Sequence, residues 1–504
     1  MRTKKTIYNT LASALLQVIT FVSGIILIRL LLVTYGSSIN GLRSSLTQMI
    51  NYLYIFETGL SGAMIFSLYK PLAEKNYNVI NGILSATRKA YRQVGIIFIG
   101  LLVALTIIYP LVINKENLDV FTVVFLTLSI GASGIINYFL MGSYTVLLTA
   151  SQSGYILSIA RGIYTIVNTV IMVILIKLGL NIALVYFISL AASLLHALII
   201  RRYSKKEFPY LNFKVAPIMS ALSKRYDVVI HQVSGMIVFN VPVLLLTIFS
   251  DLKTVSVYAI YTIIFSGVGT IIGVFVNSFA AAFGDLIANK EYEILKEAYS
   301  QYEFVYYGVV SIVYSCVLVL GISFIKIYTK GITDVSYVNY GTLVLFTIIG
   351  VLGNWKTPQN TIVIAAGHFR QTRHRAIIEA CLTIVVSIPL VIMYGLNGVL
   401  IGSSLGLLYR SIDLFYAERI TNFKVRHTLM RIIRMLFIIT VSIIPFKTLF
   451  SIEANSLLFW FLYAIVVSLW VGILALAVNF LFERYTLLKI IMRLKATFLK
   501  KGLS

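Results

Sequence analysis

Among the ionisable residues inside long apolar runs of this sequence, seven are candidates for chemistry: Arg29, Glu57, Arg161, Lys356, Glu379, Arg410 and Asp413. A charge in hydrocarbon costs several kcal/mol unless it is paired or wetted, so each marks either an internal ion pair or a site that handles charged species. Glu57 falls midway along its run, in ETGLSGA, where glycine and serine loosen packing and leave room for water. Lys356 is similarly deep, in GNWKTPQN, and Pro358 beside it removes a backbone hydrogen bond and favours a kink. Arg410 and Asp413 stand three apart on one helix face, a spacing that suits a self-neutralised pair as well as a ligand site. Arg29 and Arg161 lie nearer the ends of their runs, where a long side chain reaches the headgroups. Glu379, like Asp227 with His231, sits within two turns of a run's end, where a solvated or pairing role is expected. Four cations against three carboxylates leave a slightly positive interior, which favours an anionic group such as phosphate. Arg29, Arg161, Lys356 and Arg410 are therefore the expected anion-binding residues, with Glu57, Asp413 and Glu379 the expected ion-coupling or cavity residues.

The elements that must position these groups are helices in a bilayer. Of 504 residues, 59% are hydrophobic and 12% charged, more apolar surface than a water-soluble core of this size could hide. Spanning hydrocarbon takes about 20 apolar residues, and fourteen such runs occur. They fall near 9–33, 42–69, 91–113, 120–148, 156–176 and 181–200; near 226–249, 255–283, 304–324, 337–365, 376–394 and 397–417; and near 432–450 and 456–482. The expected fold class is all-α, a polytopic membrane protein with about 14 transmembrane helices. The first run is too long for a signal-peptide core and is read as a retained helix. Proline interrupts the runs near Pro242 and Pro389, where a kink would serve movement or static packing equally. Gly398, Gly402 and Gly406 form a small-residue stripe expected to contact a neighbouring helix.

The net charge of +24 reports topology. Thirty-one of the 42 Lys and Arg residues fall in the N-terminal tail, alternate loops and the C-terminal tail, while seven fall in the opposite loops. Positive charge is retained in the cytoplasm, so both termini are expected there, and nucleic acid is not an expected partner. No loop is long enough for a soluble catalytic or nucleotide-binding domain, and phosphate-loop, HExxH and paired CxxC motifs are lacking. No enzyme activity, cofactor or metal is expected. Cys316 and Cys381 lie in separate apolar runs and read as packing residues.

A shift of 215 to 216 residues aligns the two halves. TVLLTA from Thr145 falls on TIVIAA from Thr361, Gly179-Leu180-Asn181 on Gly395-Leu396-Asn397, and LAEKNY on LIANKEY. Each copy carries six runs, and an even number returns the chain to its starting side, so the copies are expected to be parallel with a substrate cleft between them. The expected domains are a first six-helix lobe (1–203), a basic linker (204–225), a second six-helix lobe (226–418), and a final helix pair with a basic tail (419–504).

The opening MRTKKTIYNTLASALLQVITFVSGIILIRLLLVTYGSSINGL, followed by IFETGLSGAMIFSLYKPLAEKNY, resembles bacterial polysaccharide flippases of the multidrug, oligosaccharidyl-lipid and polysaccharide exporter superfamily. The resemblance is strongest over roughly the first 80 residues and elsewhere rests on hydropathy, span number and duplication. It implies translocation of an undecaprenyl-diphosphate-linked oligosaccharide across the bacterial cytoplasmic (inner) membrane by alternating access, for polysaccharide biosynthesis. Implied partners are membrane lipids, the lipid-linked oligosaccharide, a polysaccharide polymerase and glycosyltransferases. Glu57 matches the family's acidic position before the glycine-rich stretch, while Met64 and Ile65 stand where a basic residue is common. Alternative readings are a drug or organic-cation antiporter, which requires an acidic cavity, a lipid II flippase, and, less favoured, a membrane glycosyltransferase or polysaccharide polymerase.

Overall fold

A computed structural model describes residues 2–57, 60–113, 118–219, 226–448 and 456–501. The side chains of Asp227 and His231 lie outside the described set. The helices are α1 (Arg2–Leu53), α2 (Leu60–Ala73), α3 (Tyr77–Val112), α4 (Val120–Ile136), α5 (Gly142–Ala150), α6 (Gly154–Lys177), α7 (Ile182–Glu207) and α8 (Tyr226–Phe249). They continue as α9 (Leu252–Ala288), α10 (Tyr292–Tyr328), α11 (Tyr340–Trp355), α12 (Thr357–Ala365), α13 (Phe369–Asp413), α14 (Glu418–Thr421), α15 (Val425–Thr448) and α16 (Leu457–Lys501). All fourteen apolar runs fall on helix, and no strand occurs among the described residues. Among the described residues, ten helical stretches are long and apolar enough to cross a membrane, one of them running from α4 through the π-helical turn into α5. The fold is thus all-α and polytopic.

Two long helices turn at a glycine in the left-handed region: Gly36 (φ 80°) in α1, between the first run and the start of the second, and Gly395 (φ 54°) in α13, between the runs at 376–394 and 397–417. A side chain is disfavoured at such φ values, which is why glycine makes these turns. Beyond Gly395 the glycine stripe packs back on the first half of the same α13. A methyl group on Gly402 would stand 2.7 Å from the Ser387 Cα, and one on Gly406 would meet Thr383. Pro242 and Pro389 sit inside helices that continue through them.

Two other runs are broken near their middles. The run from 42 to 69 consists of the end of α1, a 3₁₀ turn at Tyr54–Glu57, and α2. The run from 120 to 148 passes from α4 through a π-helical turn, Asn137–Met141, into α5. Its counterpart in the second copy breaks between α11 and α12, at Lys356.

The duplication is written in the backbone as well as in the residues. Lys75, Gln152 and Gly179 have positive φ, and so do Lys290, Gly367 and Gly395, lying 215 or 216 positions further on. Helix caps repeat too. Asp119 accepts from the Thr122 amide, and Asn181 reaches the Thr122 hydroxyl at 3.3 Å. Asn339 accepts from the Thr342 amide, and Thr342 meets Asn397 at 3.0 Å.

The chain forms two compact units, residues 1–259 with 331–335, and 260–330 with 336–504. In the first, Lys5 donates to the Ser151 carbonyl at 3.1 Å, and Asn9 binds both Gln152 and Tyr155. The α2–α3 turn, the α5–α6 turn, the N-terminal residues and the end of α7 thereby share one end of the unit. At its other end Tyr35 donates to Leu180, while α8 and the start of α9 close on α1 through Asn40–Ser256 (2.7 Å) and Ser45–Thr247 (2.6 Å). In the second unit, α15 and α16 pack along α10.

Asp334 caps the helix restart after Gly36, accepting from the Ser37 amide at 2.8 Å and the Ser37 hydroxyl at 2.6 Å. Partial burial pushes its carboxyl upward, but the two Ser37 hydrogen bonds and the nearby Lys253 ammonium outweigh this and hold it below the usual carboxylate range. Stability from this cap is present above the unfolded carboxylate value and is lost as pH falls through the depressed folded value. Asp334→Asn is expected to flatten the acid limb of thermal stability and to cost about 1 kcal/mol at neutral pH, the usual worth of a cap. Melting curves of both proteins from pH 3 to 7 check this.

Candidate functional site

The charged residues predicted for the site separate into two settings. In the second unit, four of the seven form one chain of ion pairs. The break after Trp355 ends α11 and starts α12, which puts Lys356 at the junction facing α13. Its ammonium pairs with Glu379, whose other oxygen lies 3.6 Å from Arg410. Arg410 then pairs with Asp413 at 2.7 Å, and Asp413 with Arg375 at 2.9 Å. Glu379 and Arg410 are buried, at 7% and 4% exposure. Three cations against two carboxylates leave one positive charge over. Arg375 closes this chain and lies one residue before the run at 376–394, so run length does not mark it. It also stacks over Tyr416, whose hydroxyl meets His368 Nδ1 at 3.2 Å.

A second buried network in the same unit went unread in the sequence. Glu303 on α10 is fully buried and receives Arg431 at 3.0 Å, Thr428 at 2.8 Å, Tyr299 at 3.2 Å and Gln359 at 3.3 Å. Arg431 on α15 also pairs with Glu483 on α16 at 2.6 Å, as does Arg434. Glu483 sits where the α16 backbone leaves helical geometry (φ −137°). This network ties the last two spans to α10.

The first unit is built differently. Glu57 ends the 3₁₀ turn and accepts from the Tyr91 hydroxyl at 3.0 Å. Tyr91 is held there because its ring lies against Gly142, where an added methyl would be 2.3 Å away. Tyr54, Phe98 and Tyr138 complete an aromatic cluster beside it. Arg29 is half-buried on α1. Neither Glu57 nor Arg29 is part of the cavity described next.

That cavity, about 610 Å³, lies within the first unit and is lined from α1, the 3₁₀ turn, α4, the π-helical turn, α5, α6 and α7. Arg161 is its cation. The guanidinium stands 5.0 Å over the Tyr164 ring, one turn on, and Tyr164 stacks on His196 of α7 at 5.4 Å. Around them are the amides of Asn51 and Asn137 and the hydroxyls of Thr47, Ser133, Ser158 and Ser193. None of the lining residues is Asp or Glu. The π-helical turn matters here, because one extra residue per turn rotates Asn137 and Met141 into the lining, and such turns are frequent at functional sites. A wall of this kind donates and accepts hydrogen bonds and offers one positive charge, which suits an anionic, hydroxyl-rich ligand.

Two comparisons, one with family models and one with curated proteins, gave no match. Solved structures do match. The chain is similar to the lipid II flippase MurJ in an inward closed conformation, with a TM-score of 0.65, 14% identity, and 94% of this chain and 99% of that one covered. It is similar to an inward-facing multidrug-resistance MATE transporter of the MOP superfamily at a TM-score of 0.64 and 14% identity, covering 86% and 95%. A MOP-superfamily transporter from Pyrococcus furiosus, described as having a binding pocket of reversed polarity, matches at 0.58 and 14%, covering 86% and 96%. The fold is therefore that of these solved transporters and of the solved flippase.

Proposed function

We propose that the protein is a lipid-linked oligosaccharide flippase of the bacterial cytoplasmic membrane, working by alternating access with both termini in the cytoplasm. Its cargo is an undecaprenyl-diphosphate-linked repeat unit for polysaccharide assembly, made by glycosyltransferases and passed to a polymerase, with surrounding membrane lipids holding the prenyl tail. The observation that carries this reading is the cavity lining: one arginine, amides and hydroxyls, with no carboxylate. An organic cation would find no counter-charge there, which counts against the drug-antiporter reading. Arg161 meets the diphosphate, and the amides and hydroxyls meet the sugars. Lys356, Glu379, Arg410 and Asp413 hold the second unit together and, with Arg375, leave one positive charge over, while Glu57 with Tyr91 is the place for ion coupling. Similarity to MurJ over 94% of the chain favours lipid II as a second cargo, since it too presents a prenyl diphosphate and sugars. The similarity to transporters, and not to enzymes, speaks for movement without chemical change.

The test is translocation in proteoliposomes of a prenyl-diphosphate-linked trisaccharide, read by its accessibility to an external lectin. Arg161→Ala is expected to slow translocation at least about tenfold, on the order of 1.4 kcal/mol, and Arg161→Lys to retain part of the rate. Full-rate translocation by a normally expressed Arg161→Ala protein would remove the assignment. Comparing an oligosaccharide cargo with lipid II in the same vesicles decides between the two cargoes.

A further inference from the structure

A second cavity, about 710 Å³, opens at the end of the first unit where the N-terminal residues meet the α5–α6 turn. Three segments build it: the end of α2 with the α2–α3 turn, the α5–α6 turn, and the end of α7 with the chain that follows. That following chain is fixed on α3, since Asn81 donates to the Tyr210 carbonyl at 2.9 Å and accepts from the Asn212 amide at 3.1 Å, and Ile218 donates to Gly82. The walls carry Tyr69, Tyr77 and Tyr210, with Gln152, Glu207 and Lys75. Tyr77 and Tyr210 pack together at 4.2 Å, and Tyr69 and Tyr77 are about half exposed.

Gln152 is the informative residue. It has φ 59°, a conformation in which a side chain is strained and which glycine adopts freely. The second copy has solved the same turn with Gly367. The first copy keeps a glutamine at the cost of that strain, and the residue lines the cavity.

Resting on the flippase reading, we propose that this cavity is a saccharide subsite, taking a sugar of the cargo's headgroup at the end of the unit where the cargo enters. Flat tyrosine faces suit the C–H face of a pyranose, and an amide and a carboxylate bridge vicinal hydroxyls. The cavity is of the size of small-molecule sites, roughly 300–1,000 Å³. Lys75 in the wall opposes an organic cation, the other ligand that tyrosines and a carboxylate would attract.

The test uses the full chain in detergent and a panel of methyl glycosides, with affinities from saturation-transfer NMR titration. At least one glycoside is expected to bind, and Gln152→Gly to weaken it about tenfold or more while leaving the melting temperature equal or higher, because the strain is relieved. Tyr210→Ala is expected to weaken it as much. No binding by the unmodified chain, unchanged binding in Gln152→Gly, or binding of tetramethylammonium instead of glycosides overturns the subsite. The two readings fail separately. Translocation that proceeds at full rate with no glycoside binding removes the subsite and leaves the flippase, whereas glycoside binding lost in Gln152→Gly without any translocation removes the flippase and leaves a saccharide site.

Discussion

Arg431→Ala is expected to destabilise the second unit by roughly 3–5 kcal/mol, the usual cost of removing one partner from a buried ion pair. The cause is what remains. Glu303, with no exposed surface, would keep only the neutral donors Thr428, Tyr299 and Gln359, and Glu483 would keep only Arg434 in the network. A carboxylate left in that state pays its desolvation without a counter-charge. Replacing both partners by apolar groups of similar size, Glu303→Leu with Arg431→Met, is expected to recover much of the loss, since a buried pair is often worth no more than well-packed hydrocarbon. Denaturation in bicelles checks both proteins. A double variant as unstable as Arg431→Ala would show that the hydrogen bonds to Ser300 and Glu483, and not charge balance, hold the last two helices.

Glu379→Ala carries the second large effect, again roughly 3–5 kcal/mol, because one carboxylate serves both Lys356 and Arg410. Arg410 would retain Asp413. Lys356, its side chain only 16% exposed, would lose the counter-ion that holds it at the α11–α12 junction. A double-mutant cycle of Lys356→Ala with Glu379→Ala is expected to give a coupling of about 1–3 kcal/mol. The same cycle separates stability from transport. If the pair is purely a structural tie, Lys356→Met with Glu379→Leu keeps translocation near its original rate, while direct contact of Lys356 with the cargo makes that double variant as slow as Lys356→Ala alone.

Hydrophobic run length made the helices legible, and every run of about 20 apolar residues fell on helix, because in a bilayer the backbone has few other ways to satisfy its polar groups. The duplication was legible from short polar landmarks, since these sit at turns whose backbone geometry recurs, as at Lys75 and Lys290. The run from 42 to 69 read as one span although it breaks at Tyr54–Glu57, because a 3₁₀ turn does not change composition. Glu303, Arg431 and Glu483 each lie one residue outside apolar runs that begin at Phe304 and Ile432 and end at Phe482, so run length does not mark them. The signal available was the face Tyr299, Glu303, Tyr306, Tyr307, whose i+3 and i+4 spacing continues a buried stripe through the carboxylate. Within the candidate site, Arg410 with Asp413 could be read from helical spacing. Lys356 with Glu379, 23 residues apart, could not, because the packing of α11 on α13 brings them together. The cavity around Arg161 was legible in its cation but not in its walls, which come from seven elements.

The most direct measurement is equilibrium binding of a water-soluble short-prenyl diphosphate saccharide and of tetraphenylphosphonium to the full chain in detergent, each repeated with Arg161→Ala. A positive, carboxylate-free cavity predicts that the diphosphate saccharide binds, that Arg161→Ala weakens it by about tenfold or more, and that the cation does not bind. Binding of the phosphonium with no response to the diphosphate saccharide, or diphosphate binding indifferent to Arg161, would contradict the account.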